Sequence, residues 1–296
     1  MRVTFGSIFR NGLVDINRTA ADLERRQREV SSGRRIHLPS DDPSAMATAM
    51  GERVEMATLD SFTQTTDSVD SRLMVVDGVY TEIINRLTGA QSKAAAGRST
   101  ILTQTQRDAL AGEIRGASSA ILTAVNTSYR GMYLFSGGQS LTPPYTAGPP
   151  VSGYQGDARV QSVDVARDRS VQVTFDGSAV MQGAAAQDIF QTLEALAVAV
   201  QTGDMAGVDA GMAALTAGFD RVTNAQTQIG IELARLPEDR ARLDTQRRAA
   251  DARRSSVEDA NLAESISALT QADAAHRAAL GALANVGRQS LMDYLK

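Results

Sequence analysis

The chain has 296 residues and a formal net charge of −4 at neutral pH. It contains no Cys and two His, which excludes disulfide scaffolds, thiol nucleophiles and Cys-ligated metal centres. Apolar residues make up 43% of the chain but aromatic residues only 4%, so long helices with narrow apolar seams are expected rather than a thick core. The acidic balance argues against a nucleic-acid-binding protein, whose usual footprint is a strongly basic face.

No apolar run approaches the roughly 20 residues that cross a bilayer, so a membrane-spanning segment is not expected. Arg10 and Asn11 interrupt the apolar residues near the N-terminus, which argues against a cleavable signal peptide. If the protein is secreted, it therefore leaves the cell by a route that reads no such signal.

The N-terminal stretch carries apolar residues at alternating steps of four and three, the spacing of a coiled-coil seam. Gly33 follows the seam and is expected to cap this helix. After a connector, Asp42 and Pro43 are expected to start the next helix, because Asp accepts hydrogen bonds from free N–H groups and Pro fits the first helical position.

The middle of the chain changes from helical to extended patterns. Residues 43–96 keep a helical period, which predicts a rod about 80 Å long, and residues 105–128 predict a further helix. Residues 136–183 contain Gly-Gly and Pro-Pro pairs and then alternate apolar with polar residues. This pattern predicts a β-hairpin of residues 160–165 and 171–175.

The second half repeats the plan in reverse order. A short helix is expected from residue 189 to about 203, then a long rod to about Arg254 with Pro237 as a candidate kink, and then a terminal apolar stripe. The expected fold class is mainly α: a long antiparallel coiled coil or helical bundle built from both termini, with a small β-rich domain inserted mid-chain. We divide it into a seam helix with connector (1–42), a rod (43–135), the insertion (136–183), a returning rod (184–254) and a C-terminal seam helix (255–296).

Several short motifs identify a family. Ser-Ser-Gly-Arg-Arg-Ile at residues 31–36 and Pro-Ser-Asp-Asp-Pro at 39–43 resemble the segment after the first helix of the flagellin superfamily, and residues 257–261 and 290–296 resemble its C-terminal helix. Internal motifs at 133–138, 142–145, 154–157 and 188–190 are similar to the branch that joins the flagellar hook to the filament. The resemblance covers essentially the whole chain.

This resemblance implies a structural role in the bacterial flagellum, in which the terminal helices form an inner tube and the insertion faces outward. The protein would form the hook–filament junction and adapt the hook lattice to flagellin. Its partners would be further copies of itself, the neighbouring hook-associated junction protein, flagellin and a cytoplasmic export chaperone, with no nucleic acid and no membrane. It would be secreted to the extracellular flagellum by type III export, which suits a chain without Cys.

The candidate site is therefore an assembly interface, with no catalytic, cofactor-binding or metal-binding residue expected. It consists of the apolar seam residues of both termini: Phe9, Leu13, Ile16, Leu23, Val30, Leu262, Ile266, Leu269, Leu280, Leu283, Leu291, Met292, Tyr294 and Leu295. The connector that supports it contains the helix-capping residues Gly33, Asp41, Asp42 and Pro43.

Three features of the sequence suggest other chemistry, but each also has a simpler structural role. The pair Asp41-Asp42 suggests acid–base catalysis, but helix capping explains its position before Pro43. His276 lies on an apolar stripe with no second His or Cys near it, which favours a hydrogen-bonded interface residue over a metal ligand. The basic segment of Arg25, Arg26, Arg28, Arg34 and Arg35 is interleaved with carboxylates and lacks aromatic residues, which favours solvated or intersubunit ion pairs over phosphate binding.

Two functional alternatives stay open at this point. One is the filament flagellin, which shares both termini; the other is a coiled-coil signalling or scaffold module, for which the β-rich insertion has no purpose. The termini themselves either belong to an ordered monomeric bundle or fold only on assembly. Their narrow, Ala-rich seams favour the second, because isolated thin helices are marginal in water.

Overall fold

The structure, a computed structural model, describes residues 5–148, 151–183 and 188–294. In chain order its elements are α1 (Phe5–Ser32), α2 (Pro43–Gly97), α3 (Gln104–Val125), β1 (Ser128–Tyr129), β2 (Met132–Tyr133), β3 (Ser162–Ala166), β4 (Arg169–Gln172), α4 (Gly177–Met181), α5 (Ile189–Thr202), α6 (Met205–Glu258) and α7 (Leu262–Tyr294). Two small antiparallel sheets accompany the helices. The mainly α fold class with a small β region is confirmed.

The chain forms two compact units. The first, here called the terminal unit, comprises the residues up to Thr58 together with those from Gln246 onward; the second, the central unit, comprises Leu59–Thr245. The sequence boundaries between them fall inside α2 and α6. Both termini therefore belong to one unit, as the mirrored order of seams and rods predicts.

The C-terminal helices have different bounds from those predicted. α6 continues past Arg254 to Glu258, because Arg254 binds Asp251 at 2.8 Å and Glu258 at 3.3 Å, and such pairs one turn apart support a helix. α7 begins at Leu262, where the Asn261 side chain accepts a hydrogen bond from the N–H of Ala263 at 3.2 Å. The seam helix predicted from residue 255 thus starts seven residues later.

The β elements also differ from the prediction. The helix expected to reach residue 128 ends at Val125, and the hairpin of β1 and β2 follows it with positive φ at Arg130 and Gly131. Two-residue strands are too short to give an alternating pattern, so the sequence did not indicate them. β3 and β4 pair with Val163 opposite Val171, which confirms the second hairpin with shorter strands than expected.

A continuous core fills the central unit, so the expectation of narrow seams without a thick core is wrong there. The few aromatic residues of the chain are concentrated in it. Phe135 contacts Tyr80 edge-on, with ring centroids 5.5 Å apart, and lies 6.1 Å from Phe175. Tyr145 and Phe190 pack at 5.2 Å. The segment after residue 135 shares this core with the helices. The composition of the whole chain does not show this, because strands and turns bring together the apolar residues of that segment.

Local signals fix the ends of α5. The Asp188 carboxylate accepts a hydrogen bond from the N–H of Phe190 at 2.8 Å, and Gly203 ends the helix with φ of +74°. This confirms the short helix predicted before Gly203. Within the central unit, α6 also continues through Pro237 as one helix. Arg169 of β4 binds Glu232 on α6 at 2.9 Å.

Candidate assembly interface

In the terminal unit, α1 and α7 pack as an antiparallel pair. Thr19 Oγ1 lies 3.0 Å from His276 Nδ1, and the buried Ser265 hydroxyl donates to Glu29 at 3.0 Å. Toward the other end, Gly12 faces Leu283 so closely that a Cβ on Gly12 would lie 2.6 Å from Leu283 Cδ1. The two residue numbers of each pair add to nearly the same value, which is the register of antiparallel helices.

His276 therefore has the hydrogen-bonded role that the sequence predicts, and its partner lies within the same chain. In the sequence Glu29 stands among arginines as one charge of several, but in the structure it is buried and also accepts a hydrogen bond from Arg26 at 3.0 Å. A carboxylate in the middle of a charged run gives no sign that it faces another helix, so the sequence did not indicate this contact.

The predicted interface residues fall into three groups. Ile16, Leu23, Val30, Leu269 and Leu283 are half-buried. Five others keep a large part of their surface in solvent: Phe9 39%, Leu13 42%, Leu262 52%, Ile266 51% and Leu280 46%. For Leu291, Met292 and Tyr294 the structure describes only the helical backbone of α7, and Leu295 lies outside the described residues.

The five exposed residues lie on one side of the pair and are here called the apolar ridge. An α-helix turns by about 100° per residue. Measured from Thr19, Leu13 lies about 120° around α1, and measured from His276, Ile266 lies about 80° around α7 in the same sense. Because the helices are antiparallel, rotations of the same sense lead to the same side of the pair. By the register of the pair, the ridge consists of two patches on that side: Phe9, Leu13 and Leu280 lie toward one end, and Leu262 and Ile266 lie toward the other.

The connector between α1 and α2 is built from the capping residues predicted for it. Gly33 has φ of +69° and its N–H donates to the Glu29 carbonyl at 3.0 Å, which ends α1. The Asp41 carboxylate accepts from the N–H groups of His37 at 3.0 Å and Leu38 at 2.9 Å. Gly33 thus ends α1, whereas Asp41 binds backbone N–H groups inside the connector and does not cap a helix.

Asp42 caps α2, with its carboxylate accepting from the N–H of Ala45 at 3.0 Å and from the Ser44 hydroxyl at 2.8 Å. Pro43 occupies the first helical position. Hydrogen bonds from the backbone to Asp41 and Asp42 lower the pKa of both carboxyls. Asp41 binds the backbone of the connector and Asp42 binds the first turn of α2, which accounts for both side chains without acid–base chemistry.

These shifts predict how the connector responds to acid. A carboxyl whose folded pKa is lowered stabilises the fold above its unfolded pKa of about 3.9, and this contribution disappears as the pH falls through the lowered folded value. The amide protons of Leu38 and Ala45 should therefore stay protected from exchange at pH 5 and lose protection progressively as the pH falls below the unfolded pKa of about 3.9. NMR-detected exchange measures this. In the Asp42→Asn variant, whose amide oxygen still accepts, Ala45 protection should no longer depend on pH.

Backbone hydrogen bonds join the connector to the linker between α6 and α7, an arrangement here called the clasp. The N–H of Arg35 donates to the Glu258 carbonyl at 2.8 Å, and the N–H of Ala260 donates to the Gly33 carbonyl at 2.9 Å. Arg34 and Asp259 form an antiparallel bridge. The segments on either side of the clasp are the same ones whose motifs carry the family resemblance.

Glu258 is the charged centre of the clasp, and its carboxylate is 3% exposed. Arg34 binds it at 3.1 Å, Arg254 binds it at 3.3 Å, and Arg53 forms a third ion pair with it. A buried carboxylate is tolerated only when it is paired in this way. Sequence reasoning missed this centre, because two of its partners lie more than two hundred residues away in the chain.

A second ion pair joins α2 to α6 within the terminal unit. Arg253 donates to both oxygens of Glu52, at 2.8 and 2.9 Å, which is the strong bidentate geometry. The small residues Ala49 and Ala250 are buried in the same part of the unit. The bidentate bond to Arg253 lowers the pKa of Glu52. These contacts hold the start of α2 beside the end of α6.

The basic segment forms ion pairs inside the chain. Arg25 binds Asp22, Arg26 binds Glu29 at 3.0 Å, Arg34 binds Glu258 at 3.1 Å and Arg35 lies 3.7 Å from Asp42. The expectation of ion pairs is therefore met largely within one chain. In the described ranges no group of three or more His, Asp or Glu is arranged to hold a metal ion, and no helix there is long and apolar enough to span a membrane.

Residues 10–140 match the family model described as the bacterial flagellin N-terminal helical region. The flagellar hook-associated protein 3 of Escherichia coli (strain K12) is 25% identical over 179 residues, which are 60% of this chain and 56% of that relative. Its namesake from Salmonella typhimurium (strain LT2) is 23% identical over 170 residues, 56% of this chain and 53% of that relative. Residues 10–140 of the chain are thus similar to the N-terminal helical region of bacterial flagellins.

The matched region spans about half the length of these two relatives. Solved structures with a similar fold cover more of the chain. A flagellar hook-associated protein from Vibrio parahaemolyticus is 18% identical, with a TM-score of 0.69 over 74% of this chain and 100% of that one. The flagellar junction protein FlgL from Legionella pneumophila is 14% identical, with a TM-score of 0.60 over 72% and 100% of the two chains. At these identities the likeness concerns the fold.

Proposed function

We propose that this chain is a structural component of the bacterial flagellum that forms the junction between the hook and the filament. The observation that carries the proposal is the apolar ridge, on which both termini of a flagellin-superfamily chain present large apolar side chains to solvent. Relatives named flagellar hook-associated protein 3 support the junction rather than the filament as its place.

Its mechanism is mechanical. Burying one Leu or Ile side chain contributes about 1.5–3 kcal/mol. When copies associate and cover the side chains of the ridge, this burial stabilises the contact between them. The interface comprises the ridge, the half-buried seam residues beside it and the C-terminal residues Leu291, Met292, Tyr294 and Leu295. The clasp and the connector hold the two terminal helices in the geometry that this contact needs.

The partners follow from this place in the flagellum. They are further copies of the chain, the neighbouring hook-associated junction protein on one side and flagellin on the other. The protein acts outside the cell, after export by the flagellar type III route with a cytoplasmic chaperone on its C-terminal region. It carries no cofactor and catalyses no reaction.

Electron microscopy of a deletion strain of the source bacterium tests the proposal. We expect intact hooks without filaments, with flagellin released into the medium, and restoration of filaments when the gene is returned on a plasmid. Hooks that still carry normal filaments would reject the junction role. Bare hooks with no flagellin in the medium would instead identify the chain as the filament flagellin, the second candidate.

A further inference from the structure

A polar groove runs along α2 within the central unit. Its volume is about 570 Å³, and every residue that lines it is polar or charged. The lining includes four hydroxyl residues of α2, together with Asp67 and the turn residue between β1 and β2: Ser61, Thr65, Ser68, Ser71, Asp67 and Arg130. Such a lining suits a ligand that forms hydrogen bonds and gives an apolar molecule nothing to pack against.

Two of the four hydroxyl groups are available to a ligand. The Thr65 hydroxyl donates to the Ser61 carbonyl at 2.9 Å, and the Ser71 hydroxyl donates to the Asp67 carbonyl at 3.0 Å, as Ser and Thr commonly do inside helices. The hydroxyls of Ser61 and Ser68 form no hydrogen bond with any residue that the structure describes. They lie about 20° apart around α2, so both can bind one ligand in the groove.

A buried arginine without a partner lies beside this groove. Arg72 is only 9% exposed, and its Nε and Nη2 atoms are buried with no hydrogen-bond partner. It forms no ion pair with any side chain in the described ranges. A guanidinium group stays protonated in proteins, and burying an unpaired charge is costly. Arg72 therefore lacks an acceptor that the described part of the chain does not supply.

The place of Arg72 on α2 puts it on the groove's side of the helix. It lies one turn after Ser68 and about 40° around the helix from it. Because helical side chains lean toward the N-terminus, Arg72 extends back beside Ser68 and Thr65. Burial lowers the pKa of Arg72, whereas the nearby Tyr129 phenol raises it. The Arg130 guanidinium lies 5.4 Å from the centre of the same Tyr129 ring, so Tyr129 neighbours both arginines.

The charges around the groove leave it positive. Asp67 and Asp70, the two acids of α2 that precede Arg72, both bind Arg240 of α6, at 2.5 and 3.3 Å. Arg130 is exposed and, like Arg72, forms no ion pair within the residues described. The acids at this place are thus neutralised and the two arginines are not, which favours an anion from outside the chain.

The geometry points to a binding site for an oxyanion, a phosphate or a carboxylate, carried by a small hydroxylated molecule of the size of a sugar. The oxyanion would bind the exposed guanidinium of Arg130 and supply the acceptor that Arg72 lacks. Hydroxyl groups of the ligand would exchange hydrogen bonds with Ser61 and Ser68. The volume of the groove lies within the range of small-molecule sites. This site does not depend on the proposed place of the chain in the flagellum.

Isothermal titration calorimetry of the purified full chain tests the site with three probes: glucuronate, glucose phosphate with the ester at the terminal carbon, and glucose. We expect one or both of the anionic sugars to bind, and their comparison distinguishes a carboxylate from a phosphate ligand. Glucose should bind at least about 10-fold more weakly, because it lacks the charge-assisted hydrogen bonds. No binding of either anionic sugar, or binding of glucose as tight as theirs, would overturn the inference.

Two variants separate the site from a structural role of its arginines. Arg130→Asn and Arg72→Met should each weaken binding of the anionic sugar at least about 10-fold. Neither should lower the unfolding temperature. Asn adopts the positive φ of position 130, which is +52°, more readily than Arg does, and Met removes an unpaired buried charge.

Arg86→Gln is the matched control, since Arg86 is an exposed arginine of the same helix that already binds Glu82 at 2.6 Å. It should bind the anionic sugar as tightly as the unchanged chain does. Undiminished binding by Arg130→Asn or by Arg72→Met would show that the anion is held elsewhere.

Discussion

Replacing Leu13 and Ile266 together by Asp is expected to abolish filament attachment in the complemented deletion strain. Each substitution removes a buried apolar contact worth about 1.5–3 kcal/mol in the assembled state and places a carboxylate where water is excluded. The loss corresponds to at least a 100-fold fall in the equilibrium constant for each contact between copies. Swimming in soft agar and electron microscopy of hooks measure the result.

A matched control separates the ridge from a general effect of charge. Ser267 lies on α7, is exposed, and points away from α1 at about 180° from His276. Ser267→Asp should therefore leave motility unchanged. The double variant should keep the thermal unfolding of the central unit, because neither residue belongs to that unit. Normal filaments on cells that carry the double variant would show that the ridge is not an assembly surface.

The variant Glu258→Gln is expected to open the clasp. Breaking a buried ion pair costs about 3–5 kcal/mol, and the half exposure of Arg34 and Arg53 reduces this to about 2–3 kcal/mol. Hydrogen exchange at the amides of Arg35 and Ala260, which are bonded across the clasp, should become at least about 30-fold faster.

Glu264→Gln is the comparison, since Glu264 is an exposed carboxylate in the first turn of α7. It should leave the exchange at Arg35 and Ala260 unchanged. Unchanged exchange in Glu258→Gln itself would mean that the backbone hydrogen bonds of the clasp hold without its charged centre. In that case the three arginines would contribute only to solubility.

Local chemistry explains which features the sequence predicted well. Gly33, Asp42, Pro43 and Gly203 act on the backbone within a few residues of themselves, so their types indicate helix ends directly. The start of α2 at Pro43 and the end of α5 before Gly203 agree with the prediction for this reason. A helical period likewise reveals the apolar stripes of α1 and α7 without knowledge of their neighbours.

Contacts between distant segments explain the rest. The arginines of Glu258 come from α2, α6 and the connector, and no local pattern links Arg53 to Glu258. The seam of α1 also combines two classes of residue, since Leu23 faces α7 and Leu13 faces solvent. Which seam residues face α7 and which face solvent depends on the register between α1 and α7, and the sequence of α1 alone does not give that register. The aromatic core of the central unit is hidden in the same way, because Tyr80, Phe135 and Phe190 are far apart in the chain.

The division of the chain into units has a consequence for where the chain can accept an insertion. The clasp and the ridge both lie before Thr58 or after Gln246, so none of their residues comes from the segment between Leu59 and Thr245. A lengthened loop or a whole extra domain in that segment would leave these contacts intact. The contacts of the terminal unit therefore do not depend on the length of the segment that joins its two parts.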